Sequence, residues 1–220
     1  MKMRTTIAGA ALTVLILGFP ALAQAACPQV PVAAISVQIV DPGPRVTSTK
    51  SLGQINAMAG SHGLSRDGST VLGITSIKLD SGVSVKYQGQ PMGRAVCVSV
   101  NRVEVKFGLK DHHVSLPREF PQGSCHYNVV MRHEMAHVDV NRRTVRKYAD
   151  VLKNDMRAAL RRSGAVAAAS MVEGQNVQTA VIQKVLDDIS ARFNAELEKL
   201  HAVIDQPGGK YAAEGRCPGW

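Results

Sequence analysis

Near residue 120 the hydrophobic period of this chain changes from two to 3.6, and that change divides it into a strand-forming front and a helical back. Before it, Val37, Ile35 and Ile39 alternate with Ser36 and Gln38, the pattern of a half-buried strand, which Asp41-Pro42-Gly43-Pro44 ends. A short helix is expected around Ser51 to Ala59. Thr70 to Leu79 and Val83 to Gln88 are β-rich runs on either side of Asp80-Ser81-Gly82, which predicts a hairpin. From Ala95 to Leu109 the apolar set is Val96, Val98 and Val100, then Val103, Val105 and Phe107. The parity flips at Asn101-Arg102, so a bulge or a tight turn belongs there. His112, His113 and Pro117 fall in an expected loop.

After the change, Ser124 is a suitable N-cap. Val129, His133, His137, Val140, Thr144, Tyr148 and Val151 recur at three- and four-residue steps, one helical stripe that can run to Arg162 and stop at Ser163-Gly164. A second long helix is expected over Glu173 to Ile204, with the stripe Ile182, Leu186, Ile189, Phe193, Leu197, Leu200 and Ile204. The expected class is α+β: an N-terminal, mostly antiparallel sheet followed by two long packed helices.

The first residues carry Lys2 and Arg4, an apolar run from Ile7 to Leu17, and the small residues around Ala23-Gln24-Ala25-Ala26. That order predicts a signal peptide over residues 1–26 and a secreted or periplasmic protein. The rest, 27–220, has the length of one domain, with a β-rich half over 27–112 and a helical half over 120–206. No later segment is apolar for the roughly 20 residues a membrane span needs. The four cysteines, Cys27, Cys97, Cys125 and Cys217, suggest two disulfides in an exported chain, with Cys97 to Cys125 and Cys27 to Cys217 the favoured pairing. The net charge of +9 favours anionic surfaces, and the basic residues of the first long helix, Arg142, Arg143, Arg146, Lys153, Arg157 and Arg161, form a face that could meet a cell-envelope polymer or headgroup. Aromatics make up only 4% of the chain and no nucleic-acid-binding motif is present, so nucleic acid is not an expected partner.

The residues that carry chemistry are His133-Glu134-Met135-Ala136-His137. Two histidines four apart on a helix point to the same side, where both imidazoles can reach one zinc ion. Glu134 beside them is placed as the general base for zinc-activated water. With 7 His in 220 residues, coincidence would produce such a match roughly 0.007 times. Both histidines also lie in the apolar stripe, where a buried imidazole needs a partner.

Val130 to Val138 resembles the zinc-helix signature of the zincin metallopeptidases, and the layout looks like that of bacterial predicted secreted zinc-dependent proteases. Asp139 departs from the signature, which usually has an apolar residue there. The resemblance implies a zincin-like fold, one Zn2+ ion, and cleavage of a peptide or protein substrate.

Catalytic zinc takes a third protein ligand. The metzincin pattern is excluded, because Val140 and Arg143 stand where it requires glycine and histidine. Glu196, on the edge of the second stripe, is the expected third ligand; His201 is the rival, as ligand or as donor to the oxyanion. Tyr148 and Tyr211 are weaker oxyanion candidates. Two other functions stay open: an inactive zincin-like binding protein of the envelope, and a zinc amidase acting on peptidoglycan.

Overall fold

The computed structural model describes residues 27–61, 70–210, 212 and 216–218. The expected signal segment 1–26 and Tyr211 lie outside the described residues. The elements in order are β1 (Ala34–Val40), β2 (Arg45–Lys50), α1 (Leu52–Ser61), β3 (Ile74–Met92), β4 (Ala95–Pro117), α2 (Cys125–Ser163), β5 (Val166–Ala168) and α3 (Met171–Ile204).

Every other strand pairs with β4. β3 lies antiparallel along its whole length, from Ile74 opposite Ser115 to Met92 opposite Ala95. On the other side β5, β1 and β2 follow one another along β4, at Val96–Val98, Arg102–Gly108 and His113–Pro117. β1 and β2 run parallel to β4, so the architecture is α+β as expected but the expectation of a mostly antiparallel sheet does not hold. Alternation reveals that a segment is a strand and which face it buries; it carries no information about the direction of its neighbour.

The turn between β3 and β4 falls at Gly93-Arg94, where Gly93 has φ 61°. Asp80-Ser81-Gly82 is not a turn but lies within β3, opposite Gly108, Phe107 and Lys106. The parity flip is a bulge: Lys86 faces Arg102 and Tyr87 faces Val100, so Asn101 is skipped. A second register shift, between Lys78 and Leu79, skips Lys110. It lets β4 continue through His112, His113 and Pro117, where a loop was expected. His112 is consequently buried, against Asn141 of α2.

α2 starts at Ser124, whose hydroxyl accepts from the Tyr127 amide at 3.1 Å, and stops at Gly164, whose φ of 58° suits glycine. α3 is capped in the same way by Ser170. The two helices pack against the sheet through the predicted stripes. Phe107 of β4 and Tyr148 of α2 both meet Phe193 of α3 edge-on, with centroids 5.9 and 5.7 Å apart. Fully burying a side chain of that kind stabilises the fold by about 1.5–3 kcal/mol.

Both disulfides differ from the favoured pairing: Cys27 joins Cys97, and Cys125 joins Cys217. The parallel register of β1 accounts for the first. Ala34 sits opposite Arg102, so running the chain back to Cys27 brings it beside the start of β4. Cys97 and Cys125 are kept apart by the length of β4. Among the described residues no helix is long and apolar enough to cross a membrane. Two disulfides are compatible with an oxidising compartment.

Candidate metal centre

α3 returns antiparallel beside α2, and cross-links mark the alignment: Arg192 with Asp155, Glu196 with Lys147, His201 with His137. The end of α3 therefore lies level with the histidines of α2. Asp205, the C-cap of α3, directs its Oδ1 to 3.2 Å from His133 Nε2 and 3.0 Å from His137 Nε2. The two Nε2 atoms are themselves 3.1 Å apart.

These three donors form a group that could hold a metal ion. Donors on one tetrahedral ion, with bonds of roughly 2.0–2.2 Å, lie about 3.3–3.6 Å from one another, within a few tenths of an ångström of the separations here. Two imidazoles and a carboxylate suit a first-row divalent ion. The histidine side chains are 18% and 10% exposed and that of Asp205 is 56% exposed, so solvent reaches the group from the Asp205 side. Burial works against the charge on Asp205, but hydrogen bonds from His133 and His137 outweigh it and hold the carboxyl below the usual range.

His201 lies behind His137, with the two Nδ1 atoms 2.7 Å apart. Burial, reinforced by the positive charge of His137, lowers the His201 pKa to about 4, so His201 is neutral at pH 7 and can accept a proton bond. If His137 gives its Nδ1–H to His201, a metal ion could replace the Nε2 proton that His137 otherwise shares with Asp205. That tautomer is the one a metal ligand needs.

Glu134 is buried at 3% exposure. The Thr75 hydroxyl, near the start of β3, donates to its Oε2 at 2.7 Å. Burial raises the Glu134 pKa, partly offset by the charge of His137 and by the Thr75 bond. Gly73 supplies the room: a Cβ there would stand 2.7 Å from Glu134 Oε1 and 2.8 Å from Val130 Cγ1.

The structure thus brings His133, Glu134, His137 and His201 together and leaves Glu196 elsewhere. Both carboxylate oxygens of Glu196 accept from Lys147 Nζ, at 2.7 and 2.6 Å, and one also accepts from Tyr148 Oη at 3.1 Å. Lys147 is ten residues beyond His137, about 15 Å along α2, too far for Glu196 to share an ion with the histidines. Tyr148 also donates to the Arg192 carbonyl, so it serves the interhelical contact and not an oxyanion. On the basic helix face Arg142 is paired with Asp41, while Arg143, Arg146 and Lys153 are exposed.

Sequence reasoning missed Asp205, Thr75 and Gly73. For Asp205 a signal existed: it stands four residues after His201, one turn further along the same side of the helix. Thr75 and Gly73 gave none, since nothing local ties the start of β3 to α2. Comparison of the chain with protein-family models, with curated proteins and with solved structures finds no match in any of the three.

Proposed function

We propose that the protein is a zinc-dependent metallopeptidase, exported to the periplasm or beyond, with His133, His137 and Asp205 as zinc ligands and Glu134 as general base. The observation that carries this reading is the convergence of His133 Nε2, His137 Nε2 and Asp205 Oδ1 within 3.2 Å of one another, with the two histidines on the helix that also holds Glu134 and Asp205 at the end of α3. Two imidazoles and one carboxylate are a ligand set of catalytic zinc, which leaves a position for substrate or water. The reading takes the α2 and α3 pair beside the sheet as a zincin-type arrangement, and takes residues 1–26 as the export signal.

Zinc bound there would supply Lewis acidity towards water and the scissile carbonyl. Asp205 contributes negative charge on the side of the site that solvent reaches. His201 holds the proton of His137 on Nδ1. Thr75 holds Glu134 Oε2, which leaves Oε1 to take the proton from the attacking water and return it to the departing amine. Burial favours that exchange by moving the carboxyl pKa upward, towards the pH at which the proton must be taken and given back.

The test is metal analysis of the purified chain together with cleavage of casein and of a peptide library, with and without chelator. One zinc per chain and chelator-sensitive cleavage are expected. Bound zinc with no cleavage of either substrate would overturn the peptidase reading in favour of a binding protein. Release of peptides from cell-wall glycopeptide alone would replace it with an amidase.

A further inference from the structure

The two long helices are unequally charged: α2 carries nine Lys and Arg against four Asp and Glu, whereas α3 carries three against five. Contacts within the fold account for part of the excess on α2, since Arg142 pairs with Asp41 and Lys147 with Glu196. Arg161 and Arg162 stand in the last turn, where a cation meets the helix dipole favourably. Arg143, Arg146 and Lys153 have neither explanation. They lie in the middle of the helix, are exposed, and among the described residues take part in no salt bridge. With 3.6 residues per turn, Arg143, Arg146, Lys153, Arg157 and Arg161 fall within roughly 80° of one another around the axis and extend along roughly 27 Å of it. Like charges three or four residues apart destabilise a helix, and Arg143 with Arg146, Lys153 with Arg157 and Arg157 with Arg161 all stand so. Asp139 and Asp150 share this face, but neither forms a salt bridge with it. Helix stability therefore does not call for the row, whereas an opposing anionic surface would relieve its self-repulsion.

We infer that this face of α2 docks the protein on an anionic phospholipid bilayer, with headgroup phosphates opposite the row of cations. A row along one side of a convex helix can meet a plane over its whole length, with every cation at one height. A linear polyanion would be held better by a groove with cationic walls on both sides, and this face is a single exposed helix surface. The row carries no aromatic side chain on which a base could stack, which disfavours nucleic acid. It carries no large apolar side chain either, so the contact is electrostatic, stays at headgroup level and is weakened by salt. His133 and His137 lie roughly 120–160° around the helix axis from the middle of the row, so a docked molecule keeps its metal group uncovered. The inference does not rest on the peptidase reading.

The probes are phosphatidylcholine vesicles with and without phosphatidylglycerol, mixed with the chain from Cys27 onward, which contains every described element. Co-sedimentation reads the bound fraction. Binding is expected to the anionic vesicles only, and should be lost as salt rises from about 0.05 to about 0.5 M. Arg143→Gln, Arg146→Gln and Lys153→Gln together should weaken it at least roughly 30-fold, since each cation near such a surface contributes about fivefold. Glutamine keeps the helix propensity, so Tm should stay unchanged. Should the triple variant fold poorly, Lys153→Gln alone should lower binding about fivefold. Lys78→Gln, Lys86→Gln and Lys106→Gln remove the same charge from exposed positions that alternate with inward-facing residues of β3 and β4, and this control should keep most of the binding. No sedimentation with anionic vesicles, equal sedimentation with neutral ones, or an equal loss in the two triple variants overturns the inference. Tighter binding to soluble polyphosphate than to vesicles at equal phosphate concentration overturns it in favour of a linear polyanion. Vesicle binding is read without turnover, so its failure leaves the peptidase reading standing, and vesicle binding by a protein that cleaves nothing does the reverse.

Discussion

The Nδ1 atoms of His137 and His201 lie 2.7 Å apart, joining α2 to α3 directly behind the three atoms that converge on the candidate metal position. In the proposed zinc site His201, neutral at pH 7, would accept the Nδ1 proton and fix the ring of His137 in the orientation and tautomer that present Nε2 to the metal. His201→Leu should therefore weaken zinc binding by roughly 10- to 100-fold without abolishing it, and His201→Asn, which keeps an acceptor, should recover part of the loss. Competition with a chromogenic chelator measures both.

Glu196 joins the helices some 15 Å away and has no part in the metal group. Glu196→Gln should leave zinc affinity unchanged and lower Tm by no more than a few degrees, because the pair with Lys147 is largely solvated. The Lys147 hydrogen bond holds the Glu196 carboxyl below its ordinary value of 4.5. A depressed folded-state pKa stabilises the fold above the unfolded value and ceases to do so as pH falls through the folded one. The Tm difference between wild type and Glu196→Gln should accordingly be present at pH 7 and vanish in acid well below pH 4.5. A difference that grew on acidification would contradict the assignment.

Gly73 faces Glu134 and Val130 with no room for a methyl group. Gly73→Ala should push the Glu134 carboxyl aside and reduce kcat at least tenfold while zinc stays bound. Thr75→Val, which removes the hydroxyl donor but keeps the shape, should lower kcat less and shift the acidic limb of the pH profile upward, because the lost bond favoured the charged carboxylate. Steady-state kinetics across pH on zinc-saturated protein compares the two.

Cys125–Cys217 spans 92 residues of sequence and ties Cys217 to the first turn of α2. Its removal, as Cys125→Ser with Cys217→Ser, should cost about 2–5 kcal/mol of stability, as expected for opening a long loop. Calorimetry of the double variant against wild type measures it, and an unchanged Tm would deny the bond a role in stability.

What could be read in the sequence was whatever lies on one element. The stripe of α2, its cap at Ser124, its stop at Gly164 and the i, i+4 histidines follow from helical period alone. The third member of the metal group depended on how far α3 slides along α2. A stripe sets the face of contact but not that offset, so a carboxylate on the stripe, Glu196, was a better expectation than one at the cap, Asp205. The same reason hid the disulfides: Cys27 reaches Cys97 only because β1 pairs in parallel with β4, and no alternation pattern records strand direction.

The account turns on Asp205 completing the site with His133 and His137. Zinc titration into wild type, Asp205→Ala and Glu196→Ala, each against a competing chelator, tests it directly. One tight equivalent is predicted for wild type and for Glu196→Ala, with affinity at least 100-fold weaker in Asp205→Ala. Retained affinity in Asp205→Ala together with its loss in Glu196→Ala would contradict the ligand set and the helix alignment that produces it.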